Sequence, residues 1–262
     1  MATDPYAAPR ARVSDVPAAT DDGNFVPEGA AVAAGNGWQW IADAWGYFMR
    51  QPGIWIAVVV IFIVLFFVLG VIPIVGGLAA ALLAPVFAGG IAIGCRTQRE
   101  GGELEIGHLF AGFKHNAGKL VLIGVFNLVA FLIIGVVIAL IAGASMAAMM
   151  MGGADTSPAR IAGSAGGIIL AVLVGLALAV PVYMAIWFAP SLVALNDFDT
   201  LPAIKTSFSA CLKNIVPFLL YGVIMFALAI VASIPIFLGW LALGPVLAAS
   251  VYTAYRDIFY TD

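Results

Sequence analysis

The chain has 262 residues, 63% of them hydrophobic and 10% charged, with a mean hydropathy of +1.10. Ordinary soluble domains carry about 25% charged residues, so the composition excludes that class. The net charge of −3 brings no basic patch, so no nucleic-acid partner is expected, and two cysteines, Cys95 and Cys211, form neither a disulfide framework nor a metal-ligand spacing.

Residues 1–36 are rich in Ala, Pro, Asp and Gly, and they read as a disordered acidic cytoplasmic tail. No apolar core follows a basic start, so no cleaved signal is expected and the first span is retained. The remainder, 37–262, reads as a membrane domain. Trp38 to Gln51 has helical apolar spacing at Trp38, Ile41, Trp45 and Phe48, and its tryptophans suit the membrane interface. Pro52-Gly53 ends it. Spans are then predicted at about 54–72 and 77–95. A cytoplasmic loop with a second amphipathic helix near Glu105 to Asn116 follows. Spans at about 119–143 and 166–192 flank an outer loop, 144–165, holding Asp155, Pro158 and Arg160. A third amphipathic helix starts at Pro202, and the last spans are predicted at about 215–233 and 237–255. Uncharged stretches of about 18 residues or more are long enough to cross roughly 30 Å of hydrocarbon, and in lipid they must be helical to satisfy their backbone.

One pattern recurs three times. Counting back from Gln51, Asn116 and Asn214, position −1 is Arg50, His115 and Lys213, position −6 is Trp45, Phe110 and Phe208, and position −10 is Ile41, Ile106 and Ile204. Each copy later reaches a Pro-Val pair, at Pro85, Pro181 and Pro245. The predicted fold is therefore an all-α polytopic membrane bundle: six transmembrane helices in three parallel repeats of amphipathic helix plus helical hairpin, at about 37–100, 101–200 and 201–260. Ten of the eleven Lys and Arg residues fall on one side, with Arg160 on the other. The positive-inside rule then puts both termini in the cytoplasm, and parallel repeats imply a pseudo-threefold axis along the membrane normal.

The stretches Gly37-Trp38-Gln39-Trp40, Gly107 to Phe113, Trp187-Phe188-Ala189-Pro190 and Tyr255-Arg256-Asp257-Ile258-Phe259 resemble those of a family of uncharacterised proteobacterial inner-membrane proteins. The resemblance covers about 37–260. It implies a bacterial inner-membrane location and no particular activity.

Candidate sites are few. Pro85, Pro181 and Pro245 are expected to kink helices at the repeat axis, with neighbouring small residues such as Gly89 and Gly90 allowing close approach. Asn127 and Tyr221 are among the deepest polar side chains, and Asn127 is expected to make an interhelical polar contact. Met146, Met149, Met150 and Met151 read as adaptable apolar packing rather than a soft-metal site. His108 and His115 read as interfacial polar residues. Arg50, Lys114, Lys119, Lys205 and Lys213 flank the surface helices and are expected to contact anionic lipid headgroups. No nucleophile–base, paired-carboxylate, phosphate-loop or cofactor arrangement is apparent, so no enzyme and no cofactor is expected. The expected role is a non-enzymatic scaffold or lipid-organising module whose partners are membrane lipids, with a protein partner or a second copy of the chain also in view. The alternative is a transporter or channel for a small or apolar molecule along the pseudo-threefold axis.

Overall fold

A computed structural model describes residues 23–151 and 157–261. Its helices are α1 (Asn36–Arg50), α2 (Pro52–Val71), α3 (Val75–Arg99), a 3₁₀ helix (Ile106–Phe113), α4 (Ala117–Met150), α5 (Pro158–Ile186), α6 (Ala189–Asn196), α7 (Thr200–Lys213), α8 (Ile215–Ser233) and α9 (Trp240–Phe259). Two short strands, β1 (Asn24–Phe25) and β2 (Tyr260–Thr261), pair antiparallel and bring the two ends of the described chain together.

Among the described residues, five helices are long and apolar enough to cross a membrane: Pro52–Val71, Val75–Arg99, Ala117–Ala147, Ala165–Asn196 and Ile215–Ser233. Their side chains stay largely uncovered by protein, with Phe67 71% exposed and Phe226 70% exposed, as lipid-facing surfaces should be. α9, the expected sixth span, has 20 residues but carries Arg256 and Asp257 near its C-terminal end and is far more buried along its second half.

The core is concentrated at one end of the bundle. Trp40, Trp55, Phe188, Tyr252, Tyr255 and Phe259 are its largest fully buried side chains. They lie on α1, at the start of α2, just before α6 and on the last turns of α9, so α1, α6, α7 and the 3₁₀ helix form a packed layer beneath the long helices. α1 packs on α9, the 3₁₀ helix on α3, and α7 on α5 and α6. The 3₁₀ helix comes very close to α3: a Cβ added to Gly112 would lie 2.0 Å from the Val86 carbonyl oxygen, and one added to Gly90 2.5 Å from that of His108. Only glycine permits this approach.

The three aligned amides occupy equivalent joints. Gln51 Oε1 accepts from the Leu104 backbone N–H at 2.6 Å and from Gln98 Nε2 at 3.0 Å. Asn116 Nδ2 donates to the Val193 carbonyl at 3.2 Å and to Asp197 Oδ1 at 2.6 Å. Asn214 Nδ2 donates to the Ala30 carbonyl at 2.9 Å, and its Oδ1 accepts from Val32 N–H at 2.9 Å. Leu104 leads into the 3₁₀ helix, Asp197 into α7, and Ala30 to Val32 into α1. Each amide fastens the strap that introduces another surface helix, and Asn214 fastens the one ahead of α1. The two Ile-Pro-Ile turns also match: Ile74 and Ile236 both have positive φ, 62° and 50°, a costly geometry for a β-branched residue.

Several expectations are corrected. The second amphipathic helix, expected over Glu105 to Asn116, is a 3₁₀ helix, capped where Glu105 N–H donates to His108 Nδ1 at 2.9 Å. The outer loop is shorter than 144–165, because α4 runs to Met150 and α5 starts at Pro158; the Ala- and Met-rich end of α4 has high helix propensity. Asp155 lies outside the described residues. The expected tail ran to residue 36. Residues 1–22 of it also lie outside the described residues, but from Gly23 onward the chain is bound: Val26 N–H donates to the Phe259 carbonyl at 2.8 Å and Ala30 N–H to that of Ile258 at 2.7 Å. Backbone hydrogen bonds hold this stretch, and composition does not report them. The fourth span is broken at Trp187-Phe188, where Pro190 removes a helix donor. Ser207 bridges the break, accepting from Phe188 N–H at 3.0 Å and donating to the Met184 carbonyl at 2.7 Å.

Candidate functional site

The packed layer carries a concave polar pocket of about 480 Å³ where α1, the end of α3 and the end of α9 meet. Tyr47 and Arg50 come from α1, Arg99 from α3, and Arg256 and Asp257 from α9. Asp43, Tyr47 and Arg50 share one face of α1 by their spacing of four, three and seven. Arg50 Nη1 donates to the Gln98 carbonyl at 2.9 Å, and its guanidinium stands 5.4 Å from the Tyr47 ring centre. The Arg256 guanidinium lies 3.6 Å over the Tyr260 ring, a cation–π contact. Asp257 is engaged from the other side: Asn36 Nδ2 reaches both of its oxygens, at 3.1 and 2.9 Å, and Trp40 Nε1 donates at 2.7 Å. Burial pushes the Tyr47 phenol up to about 12, the nearby Cys95 adds to the rise, and Arg99, Arg50 and Arg256 oppose it. The phenol therefore stays protonated at neutral pH, surrounded by three guanidinium groups.

An apolar groove of about 520 Å³ lies on the other side of the exposed ridge of α1. Trp38, Ile41 and Trp45 of α1 line it, with Leu228 of α8 and Gly239 to Val246 of α9. Ala42 borders both the groove and the polar pocket.

The other sequence-derived residues are scattered over this layer. Lys114 and Lys205 are exposed. Lys119 pairs with Asp199 at 2.8 Å and donates to the Asp197 carbonyl at 3.2 Å. Lys213 donates to the Glu28 and Gly29 carbonyls at 3.0 and 3.2 Å, securing the N-terminal strap. Of the expected headgroup set, only Arg50 lines the pocket. Arg99 and Arg256 complete it, and no sequence motif groups them with Arg50.

Pro85 and Pro245 are buried, whereas Pro181 is exposed on α5. A cavity of about 110 Å³ nonetheless sits where α3, α9 and the α5–α6 break meet. Ile91, Trp187 and Val251 line it, each six residues beyond its proline. The Trp187 indole nitrogen is buried with no hydrogen-bond partner among the described residues. Asn127 does not line this cavity, and its Oδ1 is buried without a partner among the described residues. An interhelical polar contact is instead made by Tyr221 of α8 and Ser250 of α9, 2.7 Å apart. Met146, Met149, Met150 and Met151 are exposed, and no cluster of metal-ligating side chains occurs among the described residues.

The motif stretches pack in two clusters, Trp40, Phe188 and Phe259 in one and Phe87 with the 3₁₀ helix in the other. Trp40 joins Asp257, Phe188 packs edge-on against Phe259 with ring centres 5.5 Å apart, and Phe110 and Phe113 pack against Phe87 of α3 at 5.8 and 5.5 Å.

No family model and no solved structure matches the chain. The chain is similar to a protein of Burkholderia thailandensis named a probable inner membrane protein, with 28% identity over 225 residues that cover 84% of this chain and 82% of that one. With its apolar helices, the chain is a helical transmembrane protein.

Proposed function

We propose that the chain is a multi-pass protein of the bacterial inner membrane that acts as a non-enzymatic scaffold or lipid-organising module. In this reading it has six spans in three parallel repeats, with α9 as the sixth, and both termini in the cytoplasm. The observation that carries the role is the packed layer of short helices beneath lipid-exposed spans, with Arg50, Lys114 and Lys205 exposed on it. Cations at that level attract anionic headgroups, each contributing on the order of 1 kcal/mol. The cyclic fastening by Gln51, Asn116 and Asn214 supports the threefold arrangement, and the name of the Burkholderia relative supports the location. The membrane partners are anionic lipids. A protein partner or a second copy of the chain would dock on the cytoplasmic layer.

The test is lipid retention in native-lipid discs. Lys114→Glu with Lys205→Glu is expected to lower total anionic lipid around the protein, and unchanged lipid composition would count against the role. The transport reading rests on the cavity at Ile91, Trp187 and Val251. At about 110 Å³ it is far smaller than the polar pocket and the apolar groove, which favours a packed centre over a path. Flux of a small solute through reconstituted vesicles would reverse that preference.

A further inference from the structure

We propose that the pocket between α1, α3 and α9 binds the phosphate of an anionic phospholipid, with an acyl chain lying in the adjoining groove. The proposal rests on the lipid-organising reading above and gives it a defined site.

Three guanidinium groups from three different helices line one concavity: Arg50, Arg99 and Arg256. Guanidinium forks match phosphate oxygens and bind them through charge-assisted hydrogen bonds. Tyr47 adds a hydroxyl that stays protonated, hence an O–H donor to the same anion. Two carboxylates also line the pocket, Asp43 and Asp257. The Asp257 carboxylate is held by Asn36 and Trp40, and Asp43 accepts from Gln39 at 2.9 Å. Among the described residues that line the pocket, three cations stand beside two acids.

The depth of the two cavities identifies the source of the phosphate. On α9 the pocket takes Thr253, Arg256 and Asp257, whereas the groove takes Gly239, Ala242, Leu243 and Val246. Val246 and Thr253 are seven residues apart, about 10 Å along a helix at 1.5 Å per residue. The polar pocket therefore sits at the charged end of α9 and the apolar groove runs deeper, the order of headgroup and chain in a lipid. Ala42 borders both, and Gly46, which has no side chain, also lines the pocket. The ridge between the cavities is low at these residues, so one amphiphile can lie across it. A soluble phosphate would use the pocket and leave the groove unused.

The experiment is native mass spectrometry of the full chain released from discs holding equal amounts of phosphatidylglycerol and phosphatidylcholine. The wild type is expected to keep phosphatidylglycerol with at least about tenfold preference. Arg99→Gln with Arg256→Gln is expected to remove most of that preference, and Arg99→Lys with Arg256→Lys to keep much of it. Ala42→Trp raises the ridge with every arginine in place, and a drop of about fivefold is expected. It also decides the matter should the glutamine variant fail to fold. Unchanged preference in a folded glutamine variant, or in Ala42→Trp, overturns the proposal. So does binding of water-soluble glycerophosphoglycerol as tight as that of phosphatidylglycerol in detergent, which would assign the pocket to a soluble phosphate. If Lys114→Glu with Lys205→Glu strips lipid while the pocket variants do not, the broad lipid role stands and the pocket assignment falls. If neither set matters, both fall.

Discussion

Asn214 is the most informative residue to remove. It is fully buried, at 0% exposure, and its amide makes three hydrogen bonds of 2.9 Å: to the Ala30 carbonyl, to the Ala210 carbonyl and from the Val32 N–H. Each bond contributes a net 0.5–1.5 kcal/mol or so, and a buried group left unsatisfied costs about 1–3 kcal/mol. Ala30 and Val32 are half-buried, so water replaces part of what is lost, and Asn214→Ala is expected to cost about 2–3 kcal/mol. Asn214→Asp keeps the acceptor for Val32 but turns an oxygen toward the Ala30 and Ala210 carbonyls, and it should be at least as damaging. The assay is reversible unfolding in mixed micelles with rising denaturing detergent, read alongside cleavage after Glu28 by a glutamate-specific protease. Both variants should unfold earlier, and Glu28 should be cut faster while the folded fraction is still high. Stability within about 0.5 kcal/mol of wild type, or unchanged cutting at Glu28, would refute the idea that this amide fastens the strap.

Further outcomes are expected. Gly112→Ala forces a methyl against the Val86 carbonyl, 2.0 Å from the new Cβ; a loss of about 1–3 kcal/mol is expected in the same unfolding assay, whereas Gly118→Ala, with nothing within 4 Å, should be neutral or slightly stabilising. Trp40→Phe keeps the ring but deletes the 2.7 Å donor to the Asp257 carboxylate, a charge-assisted bond contributing about 1.5–3 kcal/mol, so the melting temperature in detergent should fall. Burial pushes the Cys211 thiol up to about 12, against a smaller lowering by its hydrogen bond with Ser207. It is thus protonated and shielded at pH 7–8, and maleimide should label it only after denaturation; rapid labelling of folded protein would contradict its placement. Met151→Cys, at a position 88% exposed beyond α4, and Lys205→Cys on the surface of α7 should label from opposite sides of the membrane in a Cys-free background.

The sequence aligns three amides without disclosing what they hold. Gln51, Asn116 and Asn214 align because each sits where a surface helix joins a span, yet their partners are backbone groups far along the chain, which no local pattern encodes. The amphipathic reading of α1 takes its C-terminal end from Pro52 and includes Ile41 and Phe48, which are buried, but not Trp40. Trp40 is 1% exposed, whereas Trp38 and Trp45 are about half exposed. Hydropathy cannot distinguish a side chain turned toward lipid from one turned toward protein, because both surroundings are apolar. The same ambiguity hid the position of Pro181, which keeps its register in the repeat but lies on the exposed side of α5. In the sequence Arg50 is legible as a headgroup candidate and Arg99 and Arg256 are not; their convergence depends on how α1, α3 and α9 pack.

The closed circuit of straps has a consequence for biogenesis. Among the described helices α1 leaves the ribosome first, yet it rests on α9, and its leading strap is bonded to Asn214, Ile258 and Phe259. The strap and α1 must therefore wait, undocked, until α9 has been synthesised and inserted. Contacts this distant in sequence form slowly and leave apolar surface uncovered meanwhile, so the tryptophan-rich face of α1 is what an insertase or membrane chaperone would meet during that interval. A nascent chain stalled before Trp240 should crosslink to such a factor through α1, and completion of α9 should release it.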